Sequence, residues 1–150
     1  MLTLKPTDDL VLVKELMLDP RTPLGVVDDP NNFEPNPTMT HLVGRKEDDT
    51  VVGLISIREV NNVTVEAHIL IRPCFWGTGV SEELGEVFRE GLLKYTTYTH
   101  IITYVPQTSF AVVKYLYGKG FKLVGTITRG CLIQGHPKNL LIFDLEIKRK

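Results

Sequence analysis

The sequence is poor in the residues that would set it apart from ordinary globular chains. Two cysteines among 150 residues cannot frame a disulfide scaffold. Cys74 and Cys131 have neither a CxxC spacing nor a zinc-type histidine pattern near them, so no metal site is expected. Both thiols are expected to be free, Cys131 as a structural residue and Cys74 as an exposed one, with Pro73 before it and glycines after it. An excess of one charge is also missing. Seventeen Lys+Arg against 18 Asp+Glu leave a net charge of −1, which gives no field for gripping nucleic acid. The closing Lys148, Arg149 and Lys150 read as a solvated tail. No apolar run approaches the roughly 20 residues that span a bilayer, and the opening MLTLKPTDD lacks the basic-then-apolar pattern of a signal peptide. The expectation is a cytoplasmic protein with no membrane and no nucleic-acid partner. Its length matches one domain with one core.

What is present is a clear change of hydrophobic period along the chain. Leu2 to Lys5 alternate up to Pro6, which suits a short strand. Thr7 and Asp8 can cap a helix that carries Leu10, Leu12, Val13, Leu16 and Met17 as far as Asp19-Pro20. Residues 21–37, rich in Pro, Asn and Asp, read as a long loop of the kind that often faces a substrate. Three strand-like runs follow, 39–45, 51–60 and 63–72, separated by the turn-forming stretches 47–50 and Asn61-Asn62. The period then changes: Val80, Leu84, Val87, Phe88, Gly91, Leu92 and Tyr95 form one face of a helix. A strand over 100–105, a helix over 109–117 and strands over 121–129 and 140–147 complete the order. The fold class is α/β: a mixed, mostly antiparallel sheet with helices on both faces, in which strands 63–72 and 100–105 run parallel across the intervening helix.

The junction Ile71-Arg72-Pro73-Cys74-Phe75-Trp76-Gly77-Thr78-Gly79-Val80-Ser81 carries the chemistry. A strand passes into a helix through two glycines, so the backbone can approach a ligand and the N–H groups of the first turn face an anion. The pattern is neither a Walker A loop nor a full Rossmann fingerprint. Combined with the strand order, it resembles the acyl-CoA pyrophosphate loop of the GNAT superfamily of N-acetyltransferases, whose motif runs Arg/Gln-x-x-Gly-x-Gly/Ala. Gly79 takes the fourth position, with Trp76 at the first and Ser81 at the last. Trp-Gly-x-Gly is similar to a variant in the ribosomal-protein acetyltransferase branch, and Ser is small enough for the same approach. Lys119-Gly120-Phe121 resembles the Gly-Phe that closes the fourth helix of that superfamily. The helix usually begins with Asn, where this chain has Ser109, and carries a Tyr where this chain has Leu116 between Tyr115 and Tyr117. A narrower resemblance joins Trp76-Gly77-Thr78-Gly79, Gln107-Thr108-Ser109 and Thr128-Arg129-Gly130 to GNAT-like proteins of tailed bacteriophages described as head-assembly or internal virion proteins. It implies phage structural proteins as partners and a virion role without catalysis.

The superfamily resemblance implies acetyl-CoA as cosubstrate and a small-molecule or peptide amine as acceptor. Residues 71–81, Leu70 and Ser109 would hold the cofactor, with main-chain N–H groups at Leu70 and Ile71, at a bulge, facing its amides and the thioester carbonyl. Trp76 would either cover the cofactor or anchor the loop. Glu66 and His68, two apart on one strand, share a face and are the candidate proton acceptors. Glu66 is preferred because the superfamily often places a Glu on this strand. The alternative reading of the pair is an ordinary polar row on a wetter sheet face. Tyr115 and Tyr117 are the candidate acids, with Tyr104 on the adjoining strand as a third, and all three also fit as packing aromatics. His41, His100 and His136 read as structural or surface residues, His100 in a turn. An exposed last strand could pair two copies into a homodimer.

Overall fold

Seven strands form one sheet in the order β1-β2-β3-β4-β5-β7-β6, in a computed structural model that describes residues 1–19 and 33–148. The elements are β1 (Thr3–Thr7), α1 (Leu10–Met17), β2 (Thr40–Arg45), β3 (Val51–Glu59), β4 (Thr64–Ile71), a single 3-10 turn at Pro73–Phe75, α2 (Val80–Tyr95), β5 (His100–Pro106), α3 (Phe110–Gly118), β6 (Lys122–Ile133) and β7 (His136–Glu146). Every neighbouring pair is antiparallel except β4 and β5, which run parallel as expected from the helix between them.

Alternation along each strand sorts the apolar residues onto two faces. On β3, Ile55 joins a core cluster with Val65, Ala67 and Ile101 under Val80, Leu84 and Leu92 of α2. Its neighbour Leu54 packs on the other face with Val43 and with Val13 and Leu16 of α1. Leu116 seats α3 on Val105, Leu141 and Phe143, the last with none of its surface exposed. Helices thus cover both faces. Burying each such side chain stabilises the fold by roughly 1.5–3 kcal/mol. The seat of α2 depends on a missing side chain, since a Cβ on Gly44 would lie 2.8 Å from Leu84 Cδ1.

Several boundaries differ from the sequence expectation, each for a local reason. β1 does not stop at Pro6 but continues to Thr7. Among the described residues it is an edge strand paired with β2 alone, the kind of strand that tolerates a proline. The cap of α1 is Asp9, whose side chain accepts the N–H of Leu12 at 3.1 Å, rather than Thr7 or Asp8. His100 is the first residue of β5, not a turn residue, and its Nδ1 lies 3.0 Å from Asp144 Oδ1. β6 runs past Arg129 to Ile133 and β7 begins at His136, four residues earlier than expected. Gln134 and Gly135, both at positive φ, make the two-residue hairpin turn. A register shift between Ile127 and Cys131, with Arg129 at φ 55°, breaks the period-2 pattern and hides the strand's continuation. Of the loop expected at 21–37, residues 20–32 lie outside the described residues.

Candidate active site

The parallel pairing of β4 with β5 is short. It joins Thr64, Val65 and Glu66 to His100, Ile101 and Ile102 and then ends, while β4 continues along β3 to Ile71 and β5 along β7 to Pro106. From Ala67 and Thr103 onward the facing edges of two central strands have no strand partner among the described residues. Backbone N–H and C=O groups in such a position need a partner, and a chain carrying amides of its own can supply one. Thr103, the first β5 residue past the pairing, is buried and makes no side-chain hydrogen bond among the described residues. Leu70 and Ile71 lie in the unpaired stretch of β4. No bulge occurs there, contrary to expectation: the β3–β4 register runs unbroken from Gly53–Ile71 to Glu59–Val65.

Beyond Ile71 the chain folds into the glycine loop. Phe75 and Trp76 donate backbone N–H groups to Arg72 and Pro73, and Thr78 returns both its N–H and its hydroxyl to Phe75 O. The indole Nε1–H of Trp76 donates to Ile71 O at 2.9 Å, although half of the residue is exposed. Trp76 therefore anchors the loop to the strand. Gly77 and Gly79 have φ of 74° and 85°, the left-handed region that other residues resist. Gly79 is the N-cap of α2 and offers no side-chain acceptor, so the N–H groups that begin the helix at Val80 and Ser81 are uncapped. A Cβ at either glycine would meet nothing within 4 Å, so the space before the loop is open. The two acidic residues of the first turn are tied to the body, Glu83 by the Leu2 N–H at 2.8 Å and Glu82 by Lys119.

A polar row occupies the sheet face on which α1 packs. Glu66 and His68 are adjacent there, with His68 Nε2 at 2.7 Å from Glu66 Oε2. Arg58, opposite Glu66 on β3, donates Nη2 to Oε1 at 2.6 Å. Burial raises the Glu66 pKa, but the hydrogen bonds from His68 and Arg58 more than offset it, and the carboxyl is held below its ordinary range. Tyr104 on β5 stacks on the His68 ring with centroids 6.2 Å apart. Ser56, opposite His68 on β3, is buried with its Oγ 2.8 Å from His41 Nδ1.

The two candidate acids part company. Tyr115 points at α2, because a Cβ on Gly85 would lie 3.8 Å from its hydroxyl, and burial raises its pKa. Tyr117 turns instead to Phe143, edge to face at 5.3 Å, with half of its surface exposed. Ser109 is the N-cap residue of α3 and makes no side-chain cap bond. The structure therefore gathers Glu66 with His68, and Trp76 with the loop to Ser81, while Tyr117 stands apart. Arg58 was missed in the sequence. A two-residue turn at Asn61-Asn62 would set Arg58 opposite Val65, whereas the observed register, with Val60 N–H bonded to Thr64 O, sets it opposite Glu66, so the local sequence did not reveal the pair.

Residues 9–149 match the model of a family described as a protein of unknown function, DUF2824. The chain belongs to that family. No curated protein matches it. Among solved structures it resembles spermidine N-acetyltransferase from Vibrio cholerae in complex with CoA and spermine, at 17% identity with a TM-score of 0.79, over 97% of this chain and 95% of that one. A candidate phosphinothricin N-acetyltransferase superposes with a TM-score of 0.75 at 18% identity, over 99% of this chain and all of the other. A protein from Streptococcus mutans UA159 gives 0.71 at 18% identity, over 97% and 99% of the two chains. At these identities the likeness is one of fold. The mixed seven-stranded sheet with three helices is the GNAT fold of these N-acetyltransferase structures.

Proposed function

We propose that the chain is an acyl-CoA-dependent N-acetyltransferase that moves an acetyl group from acetyl-CoA to an amine of a small molecule or peptide. The observation that carries this reading is the parting of β4 from β5 directly before an uncapped helix that starts on Gly79. An acyl-CoA presents a diphosphate, two amides in an extended arm and a thioester in series. The uncapped N–H groups and the positive end of the α2 dipole suit the diphosphate, with Gly77, Thr78, Gly79, Val80 and Ser81 giving it close approach. The unpaired edges at Ala67–Ile71, which include Leu70, and at Thr103–Pro106 suit the amides, as an added strand would. The Thr103 and Ser109 hydroxyls, which make no side-chain hydrogen bond among the described residues, suit the same arm. The thioester then lies near Glu66 and His68, which can take a proton from the attacking amine. Tyr115, facing the helix that carries the loop, can return one to the leaving thiolate. The CoA and spermine held by the Vibrio cholerae enzyme support an amine acceptor within this fold.

Titration calorimetry with acetyl-CoA tests the reading, followed by thiol release on a panel of polyamines, peptide N-termini and lysine peptides. Saturable binding and acceptor-dependent thiol release are expected. Folded protein that gives no binding heat and no thiol release would refute the enzyme and leave the fold as a platform for a protein partner.

A further inference from the structure

The acyltransferase reading leaves open which atom of the polar row takes the proton. Resting on that reading, we infer that His68 Nδ1 is the proton acceptor, with Glu66 fixing its tautomer and Arg58 acting as a positioning residue through Glu66. Both oxygens of Glu66 are engaged, Oε1 by Arg58 at 2.6 Å and Oε2 by His68 at 2.7 Å. The residue is only 5% exposed. A proton on it would remove the charge that holds both donors, and it offers an incoming amine almost no surface.

His68 is placed the other way. An ionised carboxylate only accepts hydrogen bonds, so Nε2 of the neutral imidazole carries the hydrogen that meets Oε2 and the lone pair is left on Nδ1. Nδ1 has no hydrogen-bond partner among the described residues, and 37% of the side chain is exposed. The hydroxyl of Ser56, across the strand pair from His68, does not compete. His41 Nε2 lies 3.2 Å from the carbonyl oxygen of Asn36, which can only accept, so His41 Nδ1 is the acceptor for the Ser56 hydroxyl. That hydroxyl's proton is committed away from His68, its cross-strand neighbour. Tyr104 lies stacked beside the imidazole, with ring centroids 6.2 Å apart.

The chemistry balances as follows. An ammonium acceptor gives one proton to His68 Nδ1, and the imidazolium that forms lies against the Glu66 carboxylate. The freed nitrogen pair attacks the thioester carbonyl, the C–N bond forms, and collapse of the adduct breaks the C–S bond. The second nitrogen proton ends on the departing thiolate through Tyr115, and the His68 proton passes to solvent. One amide, one thiol and one proton result.

Long-range proton–nitrogen NMR of the wild-type imidazole at about pH 8.5, above the ordinary histidine range, reads the tautomer without any assay. His68 is expected to carry its hydrogen on Nε2, and Glu66→Gln to bring in the Nδ1–H form. On an amine that is turned over, His68→Gln is expected to lower kcat roughly 10²- to 10⁴-fold with the KM for acetyl-CoA unchanged. Arg58→Lys is expected to retain more of the rate than Arg58→Met. A hydrogen on Nδ1 in the wild type, or wild-type kcat in folded His68→Gln, overturns the inference. The tautomer measurement needs no variant, so it stands even where Glu66→Gln fails to fold. If the wild type binds no acetyl-CoA, the acyltransferase reading falls on that ground and takes the proton-accepting role with it, whatever tautomer is seen.

Discussion

The two halves of the candidate site are built from different material. At the start of α2 the binding elements are main-chain N–H groups, and side chains matter there mainly by being absent: Gly77 and Gly79 hold left-handed backbone before open space. On the opposite face of the sheet the elements are side chains in fixed contact, from Arg58 through Glu66 to His68. The first half depends on backbone conformation and helix position, and the second on chemical identity. Substitutions in one half should leave the other unmoved.

Gly79→Asp gives the largest expected separation. It places a negative carboxylate where the reading puts a diphosphate, on a backbone at φ 85°. The dissociation constant for acetyl-CoA should rise at least about 100-fold, which is about 2.7 kcal/mol. Gly79→Ala, which adds only left-handed strain of roughly 1–2 kcal/mol, should lose less. Calorimetry on the two variants, with the His68 NMR signals as a control, measures the separation. Equal affinity in Gly79→Asp and wild type would end the loop assignment.

Moving the helix is the second way to break the comparison. In Gly44→Val the new side chain meets Leu84, whose Cδ1 is 2.8 Å from the Cβ position. Overpacking of this kind costs roughly 1–3 kcal/mol. Urea denaturation should show that loss, and the displaced α2 should weaken acetyl-CoA binding while the Glu66–His68 tautomer stays unchanged. A Gly44→Val protein as stable as wild type would mean that the β2–α2 contact is looser than the fold implies.

The side-chain half should respond to acid where the backbone half does not. Because the Glu66 pKa is depressed in the fold, its contribution to stability is fully present above the unfolded glutamate value near ~4.3 and is lost as pH falls through the lower folded value. At neutral pH, Glu66→Gln should destabilise by roughly 1–3 kcal/mol, since two donors lose a charged acceptor. Urea midpoints of wild type and variant should converge below about pH 4. A gap that persists undiminished in acid would show that shape, not charge, makes Glu66 matter.

The same division explains what the sequence could reveal. Helix α2 was legible because its stripe from Val80 to Tyr95 repeats at the helical period, and the parallel β4–β5 pair followed from the crossover. The loop was legible because glycine is the residue that left-handed backbone requires. What depends on rotation or register was not. Tyr115 and Tyr117 are two residues apart, about 200° around a helix, so at most one could face α2, and no local pattern selected it. The place where β4 and β5 part, and with it Thr103, is a property of the sheet and not of either strand. The partnership of Arg58 with Glu66 was hidden for the same reason, because a two-residue turn at Asn61-Asn62 would put Val65 opposite Arg58 and the observed turn shifts that register by one. The occupation of both Glu66 oxygens was equally hidden, and the inferred proton-accepting role of His68 rests on it.

Trp76→Phe is the finest test, because it keeps an aromatic ring and removes one bond. Among the described residues, the indole N–H to Ile71 O at 2.9 Å is the hydrogen bond that fixes the ring's position, joining the loop to the end of β4. A hydrogen bond of this kind contributes about 0.5–1.5 kcal/mol net. In the anchoring role that loss falls on the order of the loop, and acetyl-CoA affinity should drop roughly 2- to 10-fold. Stability should barely change, since half of the residue is exposed already. If Trp76 instead covers a bound cofactor with its ring, Phe keeps most of that contact and Trp76→Ala removes it, so the loss appears only in Ala. Equal losses in Phe and Ala mark the anchor, and a loss confined to Ala marks the cover.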